Sequence, residues 1–325
     1  MTPIAPQRPV TPSGAPANGS PGAGEAVLVS VLLPTHNRAA RLERAVRSIL
    51  DQTLRELECI VIDDGSDDGT AALLRTMTDA RLSVLRQVER GGVARALNRG
   101  LASARGRYVA RMDSDDVSRP NRLDTQFRWL EAHPDIAVCG TAVRRVDATG
   151  GELGRWPRGM ADEEIRAGLF FGNQLAHPTI MARRGLPDFV YRPETEPAED
   201  YDLWLRLSRR HRFHTLAEPL LDYCEHADAA SQLRREEQQA ADRRLRMDLI
   251  REIWPEAPAA PAAALCAWVR EGVIAAAGEP AARELMAELV RRNGRVARLP
   301  QGEFARQAAP YLPGAKRRSW WDRGN

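Results

Sequence analysis

The sequence predicts an α/β fold: a mostly parallel sheet flanked by helices, followed by a helical extension. Three observations carry this. Short apolar runs alternate with stretches of helical periodicity from residue 27 onward, the pattern of βαβ units. Polar clusters follow three of the apolar runs, two of them rich in Asp, at the sheet edge where α/β folds bind ligands. Beyond residue 233 the chain becomes charged, then alanine-rich, with helical spacing and no further apolar strand runs.

The elements follow in order. "VLVSVLLP" (27–34) reads as a buried strand, and "RAARLERAVRSILDQ" (38–52) as a helix with Leu42, Val46, Ile49 and Leu50 on one face. "LECIVID" (57–63) is a second strand, "GTAALLRTMTD" (69–79) a short helix, "RLSVLRQ" (81–87) a third strand. "GVARALNRGLASA" (92–104) is helical and ends near Gly106; "RYVARMD" (107–113) is the fourth strand. A helix over 119–134 opens with Pro120 in its first turn. The stretches 135–147 and 150–156 suggest a hairpin. A helix is expected over 162–173, a strand over 176–183, a helix over 198–210 with acidic residues in its first turn, and a strand over 217–226. Trp204 and Leu205 are expected in the core. The division implied is an N-terminal arm (1–24), an α/β domain (25–232), a helical extension (233–315) and a basic, aromatic tail (316–325). The arm is rich in Pro, Gly, Ser and Ala, reads as disordered, and has no apolar core of a secretory signal.

Composition narrows the function classes. The 325 residues are 43% hydrophobic and 28% charged, the balance of a soluble globular protein. A net charge of +3 is too small to argue for nucleic acid. The four cysteines, Cys59, Cys139, Cys224 and Cys266, form no CxxC pair, so free thiols in a reducing compartment are expected rather than a zinc or redox site. No apolar run is long enough to cross a bilayer. The expected location is cytoplasmic. The tail "KRRSWW" leaves two readings open, a solvated end or peripheral contact with anionic lipid.

The chemistry concentrates in three strand-end clusters. "DSDD" (113–116) offers Asp113 and Asp115 as a D-x-D on one face of an extended backbone. Mg²⁺ and Mn²⁺ take hard oxygen ligands of this kind, commonly together with substrate phosphates. The two carboxylates could share one ion, or one could hold the metal and the other a ribose hydroxyl. "DDGSDDGT" (63–70) places Asp64 to accept from a nucleobase or ribose, with Ser66 or Asp67 capping the next helix. "PTHNR" (34–38) ends the first strand. No GxGxxG follows that strand, and neither a GxxxxGK[ST] loop nor a GxSxG elbow occurs.

Taken together, "VSVLLPTHNRAARLERAVRSILDQT", "ECIVIDDGSDDGT", "GGVARALNRGLASARGRYVARMDSDD", "SRPNRL" and "AEDYDLWLRL" resemble glycosyltransferase family 2 over roughly residues 27–230. The resemblance implies a GT-A fold and an inverting transfer of sugar from a nucleotide-diphosphate donor to an acceptor hydroxyl. The acceptor would be carbohydrate, lipid-linked or another hydroxyl compound, in polysaccharide or glycoconjugate assembly. It implies donor contacts from Pro34, Thr35, His36, Asn37, Asp64, Asp113 and Asn98, with Asp63, Asp116 and Gly92 supporting them. It implies Mg²⁺ or Mn²⁺ at Asp115 and Asp113, and Asp200 as catalytic base with Glu199 beside it. His226 matches a late family histidine that can approach the metal, although Cys224 stands where a basic residue is usual; ligand and structural roles stay open. His177 matches a family position read as structural or acceptor-lining. The competing readings are a sugar nucleotidyltransferase and a non-catalytic sugar-nucleotide-binding module.

Overall fold

The computed structural model describes residues 26–226, 234–271 and 278–315. The N-terminal arm and the basic, aromatic tail lie outside the described residues, as does the expected domain boundary at 232.

Strands β1 (Val29–Thr35), β2 (Leu57–Asp64), β3 (Leu82–Gln87) and β4 (Tyr108–Arg111) form a parallel block in the order β3-β2-β1-β4. Helices α1 (Ala39–Leu50), α2 (Thr70–Thr76) and α3 (Val93–Ser103) make the crossovers. Every residue of β1 and β2 is buried, so side chains of both faces must find apolar cover. The period of two divides them. Val29, Val31 and Leu33 join Leu42, Val46 and Ile49 of α1 on one side. Leu32, Ile60 and Ile62 join Ala94 and Leu97 of α3 on the other. Parallel pairing aligns the strand C-termini, with Thr35 opposite Asp63, so the first two polar clusters share one edge.

Past β4 the sheet becomes mixed. β5 (Val117–Ser118), β6 (Ile136–Val146), β7 (Glu152–Trp156), β8 (Met181–Arg183) and β9 (Arg212–Cys224) extend it to β3-β2-β1-β4-β8-β6-β9-β5, with β7 paired to β6. β8 runs antiparallel to both β4 and β6, and β6 and β9 are parallel. Helices α4 (Arg122–Ala132), α5 (Asp162–Gly168) and α6 (Glu199–Leu207) connect these strands. The expected hairpin is β6–β7.

Three expectations change. The strand expected over 176–183 begins as a 3-10 turn, His177–Thr179, with Pro178 inside it, and only Met181–Arg183 pair. The helix expected over 162–173 stops at Gly168, where the Gln174 amide donates to the Gly168 and Gly172 carbonyls. β9 starts five residues earlier than expected. Its register against β6 jumps from Leu216 to Pro219, so Ala217 and Glu218 bulge out and split the apolar pattern.

The extension consists of α7 (Arg235–Ile253), α8 (Ala259–Glu271), α9 (Glu279–Val296) and α10 (Gln301–Ala308). Its apolar residues share one core with the sheet: Leu249, Ile250, Leu265, Met286 and Phe304 cluster with Phe170, Trp204 and Phe213. Trp204 is fully buried and Leu205 nearly so, as expected. Cys59, Cys139 and Cys266 are buried free thiols, and Cys224 is partly buried and free.

Candidate active site

Three loops at the C-terminal edge of the parallel block carry the residues expected to meet the donor. The first is 35–38. Asn37 adopts φ +52°, a left-handed conformation that Asn tolerates better than most residues. Its amide exchanges two hydrogen bonds with Asp67: Nδ2 donates to the carboxylate (2.8 Å), and the Asp67 N–H donates to Oδ1 (3.0 Å). The Ser66 hydroxyl accepts the Asn37 N–H (3.0 Å). The expected cap of α2 is therefore displaced, because Ser66 and Asp67 serve Asn37. Gly69 holds the cap position without a side-chain bond, and Asp68 before it accepts the N–H of Thr70 (2.8 Å) and that of Ala39 (3.1 Å). His36 donates from Nδ1 to the Asp64 carbonyl (2.9 Å). Pro34 and Thr35 are buried in β1, and the Thr35 hydroxyl has no hydrogen-bond partner.

Asp64 is the hub of the second loop. Its carboxylate accepts from Gln87 Nε2 (2.8 Å) and from the N–H groups of Gly91 (2.7 Å) and Gly92 (2.9 Å). A carboxylate has about four acceptor positions, so Asp64 both builds the loop and keeps one position open for a ligand. Asp63 holds the same turn by accepting the Ser66 N–H (3.0 Å). Asn98 departs from its expected donor contact. Its amide is committed to Tyr191 in both directions, donating to the carbonyl (2.7 Å) and accepting the N–H (2.9 Å).

The third loop carries "DSDD". Asp113, Asp115 and Asp116 can each bring a carboxylate oxygen within 4.8 Å of the others. Arg111, buried at the end of β4, chelates Asp113 (2.5 and 2.7 Å). Arg38 stands 3.5 Å from Asp115, and His226 Nε2 donates to Asp115 (3.0 Å). Desolvation raises the Asp113 carboxyl; Arg111 opposes this and Asp115 adds to it. Asp116 is raised well above the usual carboxylate range, first by burial and then by its two acidic neighbours. One Asp116 oxygen accepts the Cys224 N–H (2.9 Å), while the other is buried with no partner, as is Nδ1 of His226. A hard divalent cation fits this donor set: three carboxylates face two guanidiniums, and polar atoms are left over. Asp113 and Asp115 are therefore joined by Asp116, which the sequence reading gave only a supporting role, while His226 sits behind Asp115. "SRPNRL" supports the loop from below. Arg122 donates to the Arg111 carbonyl (2.7 Å), and Gln52 bonds Ser118, Arg119 and Leu123.

The carboxyls expected to serve the acceptor lie at the N-terminus of α6. Burial, then the neighbouring Asp200, pushes Glu199 up to about 8. Burial also raises Asp200, to about 6, held back by its bond from the Tyr201 N–H. Burial thus raises both adjacent carboxyls, Glu199 the more because Asp200 lies beside it. Asn173 donates to Asp200 (2.6 Å), and His177 Nδ1 lies 3.9 Å from it. His177 is buried and bonded through Nε2 to the Tyr191 hydroxyl (2.9 Å). Burial, assisted by Arg111, lowers His177 well below the ordinary histidine value. Arg111 thus lies between the two halves, bonded to Asp113 and close enough to act on Glu199 and Asp200.

Comparison with known proteins decides the family. The model for "Glycosyl transferase family 2" matches residues 30–187. The putative glycosyltransferase EpsE of Bacillus subtilis is 33% identical over 209 residues, covering 62% of this chain and 74% of that protein. The chain belongs to glycosyltransferase family 2. The O-antigen biosynthesis glycosyltransferase WbnJ of Escherichia coli is 32% identical over 206 residues, covering 60% of this chain and 79% of that one. Among solved structures, S. aureus TarS 1–349 in complex with UDP-GlcNAc superposes with a TM-score of 0.60 at 17% identity, covering 90% of this chain and 93% of that one. The fold of this family 2 glycosyltransferase is GT-A, its sheet carrying an acidic D-x-D loop beside a C-terminal helical region. Membership removes the nucleotidyltransferase reading. No helix among the described residues is long and apolar enough to cross a membrane.

Some site residues carried no sequence signal. Arg111 reads as part of a strand, Glu196 as part of a loop, and Asn173 as the end of a helix. Glu196 accepts the Ala94 N–H (2.8 Å) at the N-terminus of α3. Its partners lie about a hundred residues away, so local patterning could not find it.

Proposed function

We propose that this glycosyltransferase moves a sugar, with inversion, from a nucleotide-diphosphate donor to a hydroxyl of a cell-surface polysaccharide or glycoconjugate precursor. One observation carries the reading. Buried Arg111 bonds Asp113 of the acidic cluster and acts electrostatically on Glu199 and Asp200, which supports a diphosphate site and a proton acceptor near one another.

In this reading Asp64 and the 35–37 loop take the nucleoside. Asp113 and Asp115, with Asp116 behind them, hold Mg²⁺ or Mn²⁺, which when bound supplies positive charge for the departing diphosphate. Arg38 adds a further cation at the same place. Asp200 accepts the proton of the acceptor hydroxyl as its oxygen attacks the anomeric carbon from the face opposite the diphosphate. Glu199, protonated, donates a hydrogen bond to the acceptor and fixes its approach. The polysaccharide assignment is supported by the similarity to WbnJ, an O-antigen biosynthesis glycosyltransferase.

The test is release of nucleoside diphosphate from a panel of UDP-, GDP- and dTDP-sugars, with Mn²⁺, with Mg²⁺ and with EDTA. Turnover of one donor, abolished by EDTA and by Asp115→Ala, is the expected result. Donor binding with no turnover in the presence of polysaccharide-precursor acceptors would favour a binding module.

A further inference from the structure

The helical extension reaches the proposed base through a chain of hydrogen bonds, buried at Arg246 and partly buried at Asn173. Arg246 of α7 is fully buried. Its guanidinium donates to the carbonyls of Phe170 (2.7 Å) and Phe171 (3.3 Å), and to that of Cys266 in α8 (3.3 Å). Phe170 and Phe171 form the turn that ends α5 and leads into Asn173. The Asn173 amide is oriented at both ends: Oδ1 accepts the Leu175 N–H (3.1 Å), which leaves Nδ2 to donate to Asp200 (2.6 Å). A flipped amide would break both bonds. The other Asp200 oxygen is held by the Tyr201 N–H (2.7 Å). Tyr201 is itself tied to this turn, its hydroxyl donating to the Leu169 carbonyl.

We propose that Asn173 is the positioning residue of the base Asp200, and that Arg246 of the C-terminal extension holds Asn173 in place by fixing the 169–173 turn. This inference rests on Asp200 being the base. It gives the extension a role in the reaction as well as in packing, since the turn's carbonyls meet a guanidinium only when α7 is docked. The guanidinium suits the task because its planar donors can serve several carbonyls at once, which a lysine ammonium cannot do in the same geometry.

Charged and titratable groups surround Asp200 from every side. Glu199 is adjacent on α6, His177 precedes β8, Arg111 ends β4, Tyr191 lies in the loop before α6, and Asp242 comes from α7. Asn173 is the neutral donor in this set. It favours the ionised carboxylate, and its loss should shift the titration of Asp200 upward.

The experiment is a titration of the full chain with ¹³C-labelled aspartate carboxyls, the Asp200 resonance being assigned by its absence in Asp200→Asn. In Asn173→Ala the midpoint should rise by about one pH unit, the size expected for one lost hydrogen bond to a charged group. In Arg246→Lys, which keeps the buried charge, it should rise by less. On the donor that turns over in the panel, Asn173→Ala should lower kcat about tenfold or more with donor KM unchanged. An unmoved midpoint in folded Asn173→Ala overturns the proposal. A shift there with none in Arg246→Lys overturns the part assigned to the extension. If Asp200→Asn itself turns over at the native rate, the base reading fails, an outcome separate from either titration result.

Discussion

Glu199 and Asp200 are chemically similar neighbours whose environments separate them. Asp200 is raised to about 6 and Glu199 further, to about 8, which under the proposed function favours Asp200 as the group that takes the proton. The sign follows directly. Protonation disables a base, so kcat/KM for transfer should fall as pH drops through about 6, and Asp200→Asn should remove that limb together with some hundred- to ten-thousandfold of rate. Donor affinity, measured by titration calorimetry, should survive the change. Asp115→Ala should do the reverse, losing metal-dependent donor binding before any chemistry. Asp115 is legible from a short motif, because its chemistry is local: three carboxylates within four positions at a strand end; Asp200 lies at a helix N-terminus and was singled out through the family resemblance. Asn173, Glu196 and Arg246 are not legible in this way. Each acts on a partner tens of residues away, and only the folded topology makes the pair.

At the scale of elements, the parallel block was readable because apolar runs buried on both faces alternate with amphipathic helices. β9 was readable only in its second half, since a bulge at Ala217 and Glu218 interrupts the pattern. The 3-10 turn at His177–Thr179 was missed because the apolar Ile180 and Met181 that follow it carried the strand reading back across it. The N-terminus of α3 shows what such reading cannot reach. Gly92 sits at φ +93° and ψ 159°, a region almost confined to glycine, and a Cβ there would lie 2.7 Å from the Glu196 carboxylate. That carboxylate accepts the Ala94 N–H at the positive end of the helix. Glu196→Ala should therefore cost about 1 kcal/mol in a urea unfolding series, as lost caps do. Gly92→Ala should cost more, about 1–3 kcal/mol from backbone strain, with the steric clash added. The double variant should recover the steric part and retain the strain. A double-mutant cycle that is strictly additive would mean the two residues do not interact.

Among the described residues the extension shares one of the two apolar clusters of the sheet, and that has a thermodynamic consequence. Leu249, Ile253, Leu265, Met286, Leu289 and Phe304 of the extension lie in the same apolar cluster as Phe170, Phe171, Trp204 and Phe213. Phe304 meets Phe170 at 5.1 Å between ring centroids, and Tyr311 stacks on Phe171 at 5.5 Å. Polar ties cross the same boundary: Arg298 donates to the Leu205 carbonyl (2.9 Å), and Gln307 to that of Glu164 (3.1 Å). Each large apolar side chain contributes about 1.5–3 kcal/mol on burial. Part of that burial is internal to the extension, but the shared part is still of the order of the 5–15 kcal/mol by which a folded domain is stable at all. The extension therefore should not melt ahead of the sheet. Calorimetry of the full chain should give one main transition, and Phe304→Ala should lower it as a whole rather than split it. A chain ending at His226 should expose Phe170 and Phe171 and bind a hydrophobic dye in its most compact state. Two resolved transitions in the full chain, or a soluble shortened chain with native stability, would show instead that the α/β part folds alone and that α7–α10 dock onto it afterwards.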